Sequence, residues 1–194
     1  MSTTQQSAAT TREQLTIDGY VAGRWVIDPV HSEVAFTVRH LMVSKVRGRF
    51  VRFAGDIVTA ANPLDSSVAV EIDMASVDTA DAGRDEDLRS SAYLDVAQFP
   101  HMRYRSTGIR AVDGRVTVDG ELTLHGVTRP VSLDVDVNGI GENGKGGTVA
   151  GFSARTQISR SDFGIDLRLP MTGGGVVVGD RIDIALEIEA VLAA

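Results

Sequence analysis

The stretch "VSLDVDVN", Val131 to Asn138, alternates without a break: Val131, Leu133, Val135 and Val137 fall on one side, and Ser132, Asp134, Asp136 and Asn138 on the other. A period of two sends successive side chains to opposite faces of a strand, so this is sheet with one dry face and one wet face. The rhythm continues outward in both directions. "RVTVDGELTL" sets Val116, Val118, Leu122 and Leu124 against Thr117, Asp119, Glu121 and Thr123. "SVAVEIDM" groups Val68, Val70, Ile72 and Met74, and "RIDIALEIEA" groups Ile182, Ile184, Leu186, Ile188 and Ala190. Such alternation belongs to antiparallel sheet, whereas a parallel sheet covered by helices shows continuous apolar runs.

Glycine-containing connections punctuate the strands. Asp113-Gly114 is a hairpin signal, "NGIGENGKGG" from Asn138 to Gly147 reads as a long flexible turn, and "TGGGVVVGD" from Thr172 to Asp180 reads as a loop before the last strand. One segment breaks the rhythm: Thr79 to Pro100 is charged, with acids early and Arg89 late, and predicts one or two short helices. About eight strands must hide their dry faces together, as two stacked sheets or as a closed barrel. Side-chain size favours the barrel. In "TVAGFSARTQIS" the apolar side carries Ala150, Phe152, Ala154, Thr156 and Ile158, and aromatics make up only 5% of the chain. Small walls leave room, and a barrel of about eight strands is just wide enough to hold one ligand. The expected fold is all-β with one or two short helices: an antiparallel closed barrel around an apolar cavity.

With 194 residues, 43% hydrophobic and 23% charged, the chain suits one globular domain. Residues 1–22, rich in Ser, Thr and Gln, read as a flexible tail, and 23–194 as the domain. A formal net charge of -7 supplies no basic field for a phosphate backbone, so nucleic acid is not expected as a partner. The absence of cysteine excludes disulfides, thiolate metal sites and cysteine nucleophiles. The first twenty residues lack a basic start followed by an apolar run, and no stretch approaches the roughly 18 apolar residues of a membrane span, so a cytoplasmic location is expected.

The four histidines are His31, His40, His101 and His125. His31 reads as a local hydrogen-bonding residue in a turn, and His125 as a structural residue beside one. His40 ends the apolar stripe Val34, Phe36, Val38 of "EVAFTVRHLMV". It is either a satisfied core histidine or the polar end of a cavity. The histidine spacings do not form a metal motif, so no metal is expected. The sequence also lacks a nucleophile elbow, a P-loop and a dinucleotide fingerprint, so no catalytic residue is assigned. In "ISRSDFGI", Arg160 either pairs with an acid such as Asp162 or Asp85 in a turn, or stands at the cavity mouth facing a phosphate or quinone oxygen; Arg84 and Arg89 carry the same two readings.

In order, "WVIDPVHSEVAFTVRHL", "VRGRFVRFAGDI", "GRDEDLRSSAYLDVAQFP", "VDGELTLHGVTRPVSL", "ISRSDFGI" and "VGDRIDIALEIEA" closely resemble the YceI-like family, from about Trp25 to Val191. Met102, after His101, stands where relatives carry an aromatic or another apolar residue. Many relatives carry a secretion signal, which the first twenty residues here are not expected to form. The resemblance implies a lipocalin-like barrel enclosing a long apolar tunnel that binds a polyisoprenoid chain or a related amphiphile, for storage, transport or stress response. The tunnel is expected to involve Phe36, Val38, His40, Val70, Ile72, Leu124, Phe152, Ala154, Ile158, Arg160, Phe163, Ile184 and Leu186. An isoprenoid lipid, as a quinone or polyprenyl phosphate, or a fatty lipid would be the bound molecule, with no other cofactor. Transient membrane contact and a homodimer complete the expected partners. The competing readings are an enzyme acting on such a lipid through His40 and a packed interaction domain without a ligand.

Overall fold

The computed structural model describes residues 15–41, 43–166 and 178–193. Its strands are β1 (Gly23–Ile27), β2 (Glu33–His40), β3 (Ser44–Phe50), β4 (Phe53–Thr59), β5 (Ser67–Asp73), β6 (Val77–Asp78), β7 (His101–Val112), β8 (Arg115–Leu124), β9 (Val127–Glu142), β10 (Thr148–Ser159) and β11 (Val178–Leu192), with one helix, α1 (Ala82–Arg89). These eleven segments occupy eight strand positions. β1 and β2 both pair with β11, β4 and β3 pair with β1 and β2 in turn, and β5 and β6 continue with β4 and β3. Each of the first three positions is thus one strand broken in two. The ring closes where Trp25, Val26 and Ile27 pair with Leu192, Val191 and Ala190, giving a closed antiparallel eight-strand barrel.

The breaks have local causes. After β1, Asp28 Oδ1 accepts the Val30 N–H at 2.8 Å, and Pro29 between them has no N–H to give a ladder. After β5, Asp73 caps a 3₁₀ turn, Met74–Ser76, by accepting from Ala75 N at 2.9 Å. Asp113 (φ 51°) and Gly114 (φ 75°) form the expected two-residue hairpin turn, and His125 (φ 51°) with Gly126 (φ 75°) forms a second.

Three expectations change. Asn138–Gly147 is not all turn: β9 runs to Glu142, and only residues 143–147 turn, held by Asn143 Oδ1, which accepts from Lys145 N and Gly147 N at 3.0 Å each. The tail expected over residues 1–22 is described from Leu15, and from there it lies on the barrel. Tyr20 donates its hydroxyl to the Ala60 carbonyl at 2.7 Å and sits 3.0 Å from Ser66 Oγ. Most of the glycine-rich stretch Thr172–Asp180 lies outside the described residues, although its end, Val178 to Asp180, already belongs to β11.

α1 is the helix expected between Thr79 and Pro100, capped by Asp81, which accepts from Arg84 N at 3.0 Å. Buried Asp85 accepts from Thr79 N at 2.9 Å and Thr79 Oγ1 at 2.6 Å. Arg84 donates to the Thr79 hydroxyl and carbonyl, and Arg89 to the carbonyls of Ala75 and Val77 at 2.8 Å each. Both arginines therefore tie the helix to the chain that leaves β5. This end, the base, also carries the His125-Gly126 turn; the opposite end carries the Asp113-Gly114 and Asn143–Gly147 turns and residues 15–22. No helix among the described residues is long and apolar enough to cross a membrane.

Candidate functional site

The inward side chains do not meet across the barrel. Between them lies a cavity of about 210 Å³, measured as the space open to the centre of a water molecule. It has room for several waters, yet its walls offer them almost nothing polar to bond, so an apolar guest is the favourable filling. Val131, Leu133, Val135 and Val137 of β9 all line it, as do Val68, Val70 and Ile72 of β5 and Ile184, Leu186 and Ile188 of β11. β10 contributes Ala150, Phe152, Ala154 and Thr156. Ala154 stands between Leu186 and Val135 in register, so a single methyl group is all that side of the wall presents.

The end away from the base is roofed by Leu15, Ile17, Tyr20 and Pro63, with Ser66 and Thr59 beside them. Thr59 Oγ1 accepts from the Trp25 indole at 2.8 Å and from Gly23 N at 2.9 Å. The wall's other phenol, Tyr104, lies over Gly120, where a Cβ would come within 2.4 Å of the ring, and donates to the carbonyls of Val118 (3.0 Å) and Val131 (3.1 Å). Burial, with Asp119 nearby, pushes its hydroxyl up to about 12.

Of the expected tunnel residues, Val70, Ile72, Phe152, Ala154, Ile184 and Leu186 line the cavity. The other seven stand elsewhere. Leu124, Ile158 and Phe163 are buried in the core that fills the base, together with Met74, Val77 and Ile165. Phe36 packs on Phe50 with ring centres 5.7 Å apart. Val38 and His40 lie beyond it on β2, paired with Ile182 and Val178 and half-buried, outside the cavity wall. They miss the wall because β2 runs on past the cavity floor.

Arg160 corrects both of its readings. It is buried, and its guanidinium donates to the carbonyls of Ile165 (2.6 Å), Gly179 (3.2 Å) and Val178 (3.4 Å), not to Asp162 or Asp85. It clamps the start of β11 to the turn that follows β10.

The remaining histidines take structural positions. His125 packs against Phe99 with the rings tilted and their centroids 4.5 Å apart. His101 is 3.5 Å from Glu71. His31 lies 2.9 Å from Asp28 and 3.7 Å from Glu189. The bond to Asp28, helped by both carboxylates, raises its pKa, and the same bond lowers that of Asp28. Ligand atoms of Asp28, His31 and Glu189 fall within 4.8 Å of one another, a grouping hidden from histidine spacing because Glu189 lies at the far end of the chain; it is partly solvent-facing and does not line the cavity.

An eight-strand antiparallel barrel closed around an apolar cavity defines a lipocalin-like architecture. The profile of the YceI-like domain matches residues 25–190, and the chain belongs to that family. It is 36% identical over 179 residues to a UPF0312 protein of Vibrio parahaemolyticus, covering 89% of each chain. Among solved structures, it is similar to the YceI protein of Campylobacter jejuni, at 26% identity and TM-score 0.69, over 80% of this chain and 90% of that one. It also shares the fold of a polyisoprenoid binding domain of Saccharophagus degradans, at 16% identity and TM-score 0.65, over 89% of this chain and all of that one.

Proposed function

We propose that the protein is a binding protein that holds one long-chain isoprenoid, or a lipid of similar shape, in the barrel, for storage, transport or a stress response. The observation that carries this reading is the cavity: apolar on every wall and kept open by Ala150 and Ala154 where larger residues would fill it. The polyisoprenoid binding of the Saccharophagus degradans domain, which shares the fold, supports it. At about 0.8 kcal/mol per buried CH₂, twenty chain carbons would gain roughly 16 kcal/mol gross, against the costs of ordering the chain and leaving the membrane. A binder needs no catalytic group, and His40, the acid/base of the enzyme reading, stands outside the cavity wall. Extraction of the purified protein with organic solvent followed by mass spectrometry tests the proposal. A lipid in near-stoichiometric amount is expected; an extract free of lipid, from protein purified without detergent, contradicts it.

A further inference from the structure

β9 and β10 are zipped along only part of their length. Their ladder runs from Glu142–Thr148 to Asp134–Arg155 and stops. β9 nevertheless goes on pairing with β8 as far as Val127, and β10 goes on pairing with β11 as far as Ser159. Toward the base, residues 127–133 and 156–159 therefore face each other without a shared ladder. Pro130 lies on this open edge, where a residue without an N–H loses no bond.

Two polar clefts mark the gap from outside. One is walled by Arg129, Ser132, Gln157 and Arg181, the other by Asp134 and Arg155 among others. Thr156 walls both clefts and the central cavity, Val131 walls the first cleft and the cavity, and Ile184 the second cleft and the cavity. Among the described residues, a single layer of side chains separates cavity from solvent here. The base is thicker, filled by the core of Leu124, Ile158 and Phe163, whereas the half-buried Leu15, Ile17, Tyr20 and Pro63 cover the other end. Across the gap, Arg129 Nε donates to the Asp162 carbonyl at 3.1 Å, a bond at the surface that can open without breaking a ladder.

We propose that the unzipped half of the β9–β10 seam is the side port of the cavity: the chain of an amphiphile passes between Val131 and Thr156, and its polar end stays in the cleft among Arg129, Ser132, Gln157 and Arg181. The inference rests on the lipid-binding reading. Burial of a polar end within apolar walls would be costly, whereas the cleft offers water and, with Ser132 and Gln157 already bonded to Asp119 and Asp183, the guanidinium groups of Arg129 and Arg181 beside Asp162.

The chain contains no cysteine, so one can be introduced and labelled alone. Gln157→Cys and Ser132→Cys put a bulky fluorescein maleimide on either lip of the port, and Ser153→Cys puts it on the outer face of β10 where the seam is zipped. Uptake of cis-parinaric acid, followed by its own fluorescence in lipid-free protein, should slow by about tenfold or more when either lip is labelled, each compared with the same variant unlabelled, whereas labelling the Ser153 variant should leave its uptake unchanged. Thermal melts of the labelled proteins check that the barrel is intact. Equal uptake by lip-labelled and Ser153-labelled protein overturns the port and leaves the cavity reading standing. Failure of the unlabelled wild-type protein to take up the probe overturns both.

Discussion

At the scale of single residues, the buried polar groups of the barrel serve the backbone. Arg160 places three donor contacts on carbonyls that frame the start of β11, inside a site where an unpaired carbonyl is expensive. Arg160→Met should therefore cost about 2–4 kcal/mol in urea unfolding while lipid affinity in the folded variant stays within about twofold. A large loss of affinity at unchanged stability would restore Arg160 as a head-group residue. Tyr104 makes the same argument through pH. Its folded pKa lies above its ordinary value of 10.0, at about 12, because the buried hydroxyl stays neutral. The stability this represents is fully present below pH 10.0 and is lost as pH rises toward about 12, since the unfolded chain releases the proton first. Tyr104→Phe should cost about 1–3 kcal/mol at pH 8, and the gap to wild type should narrow by pH 11.5 in parallel urea melts. A gap that stays constant would place the ionisation elsewhere.

At the scale of elements, parity along a strand was legible in the sequence as long as the strand stayed regular. β5, β8, β9 as far as Val137 and β11 from Ile182 onward keep strict alternation, and their inward sets could be read directly. β7 could not: its register with β8 shifts between Ser106 and Gly108, so Met102 and Tyr104 lie on one parity and Ile109 on the other, although all three line the cavity. The shift between Gly151 and Phe152 opposite β9 likewise moves the inward set from Val137 to Ile140, which hid the last part of that strand inside an apparent glycine turn. The N-terminal roof was missed for a different reason. Leu15 and Ile17 are isolated apolar residues in a polar stretch, and only their seat on the barrel end gives them a role. Leu15→Ser with Ile17→Ser should weaken binding of a long-chain lipid by about 3- to 30-fold in a fluorescence titration and shift the melting temperature little. An unchanged Kd would show that the roof does not touch the guest.

At the scale of the whole molecule, alternation gave the face of each residue but not its depth along the barrel. Leu124 and Ile158 point inward by the same pattern as Ala154 and Leu186, yet with Phe163 of the 3₁₀ turn after β10 they fill the base, because depth depends on which hairpin tips share an end of the ring. His40 follows the same rule: its strand passes the floor, so the ring that ends the apolar stripe never reaches the lumen. The number of strand positions and the existence of space inside were legible because both follow from repeated patterns and side-chain size. The floor, the roof and the incomplete seam were not, because each depends on register between distant segments.

The central claim is that the barrel is hollow in order to hold a lipid chain, and Ala154 offers the sharpest test. It is 6% exposed and faces the cavity, so Ala154→Trp would place an indole where several methylene groups of a guest would lie. Native mass spectrometry of wild-type and Ala154→Trp protein, each with a thermal melt, measures occupancy and packing together. The account predicts one lipid per wild-type chain, and a folded, lipid-free variant whose melting temperature matches that of delipidated wild type. A variant destabilised by about 1–3 kcal/mol, as overpacking of a solid core would require, or one that still carries its lipid in full, would contradict it.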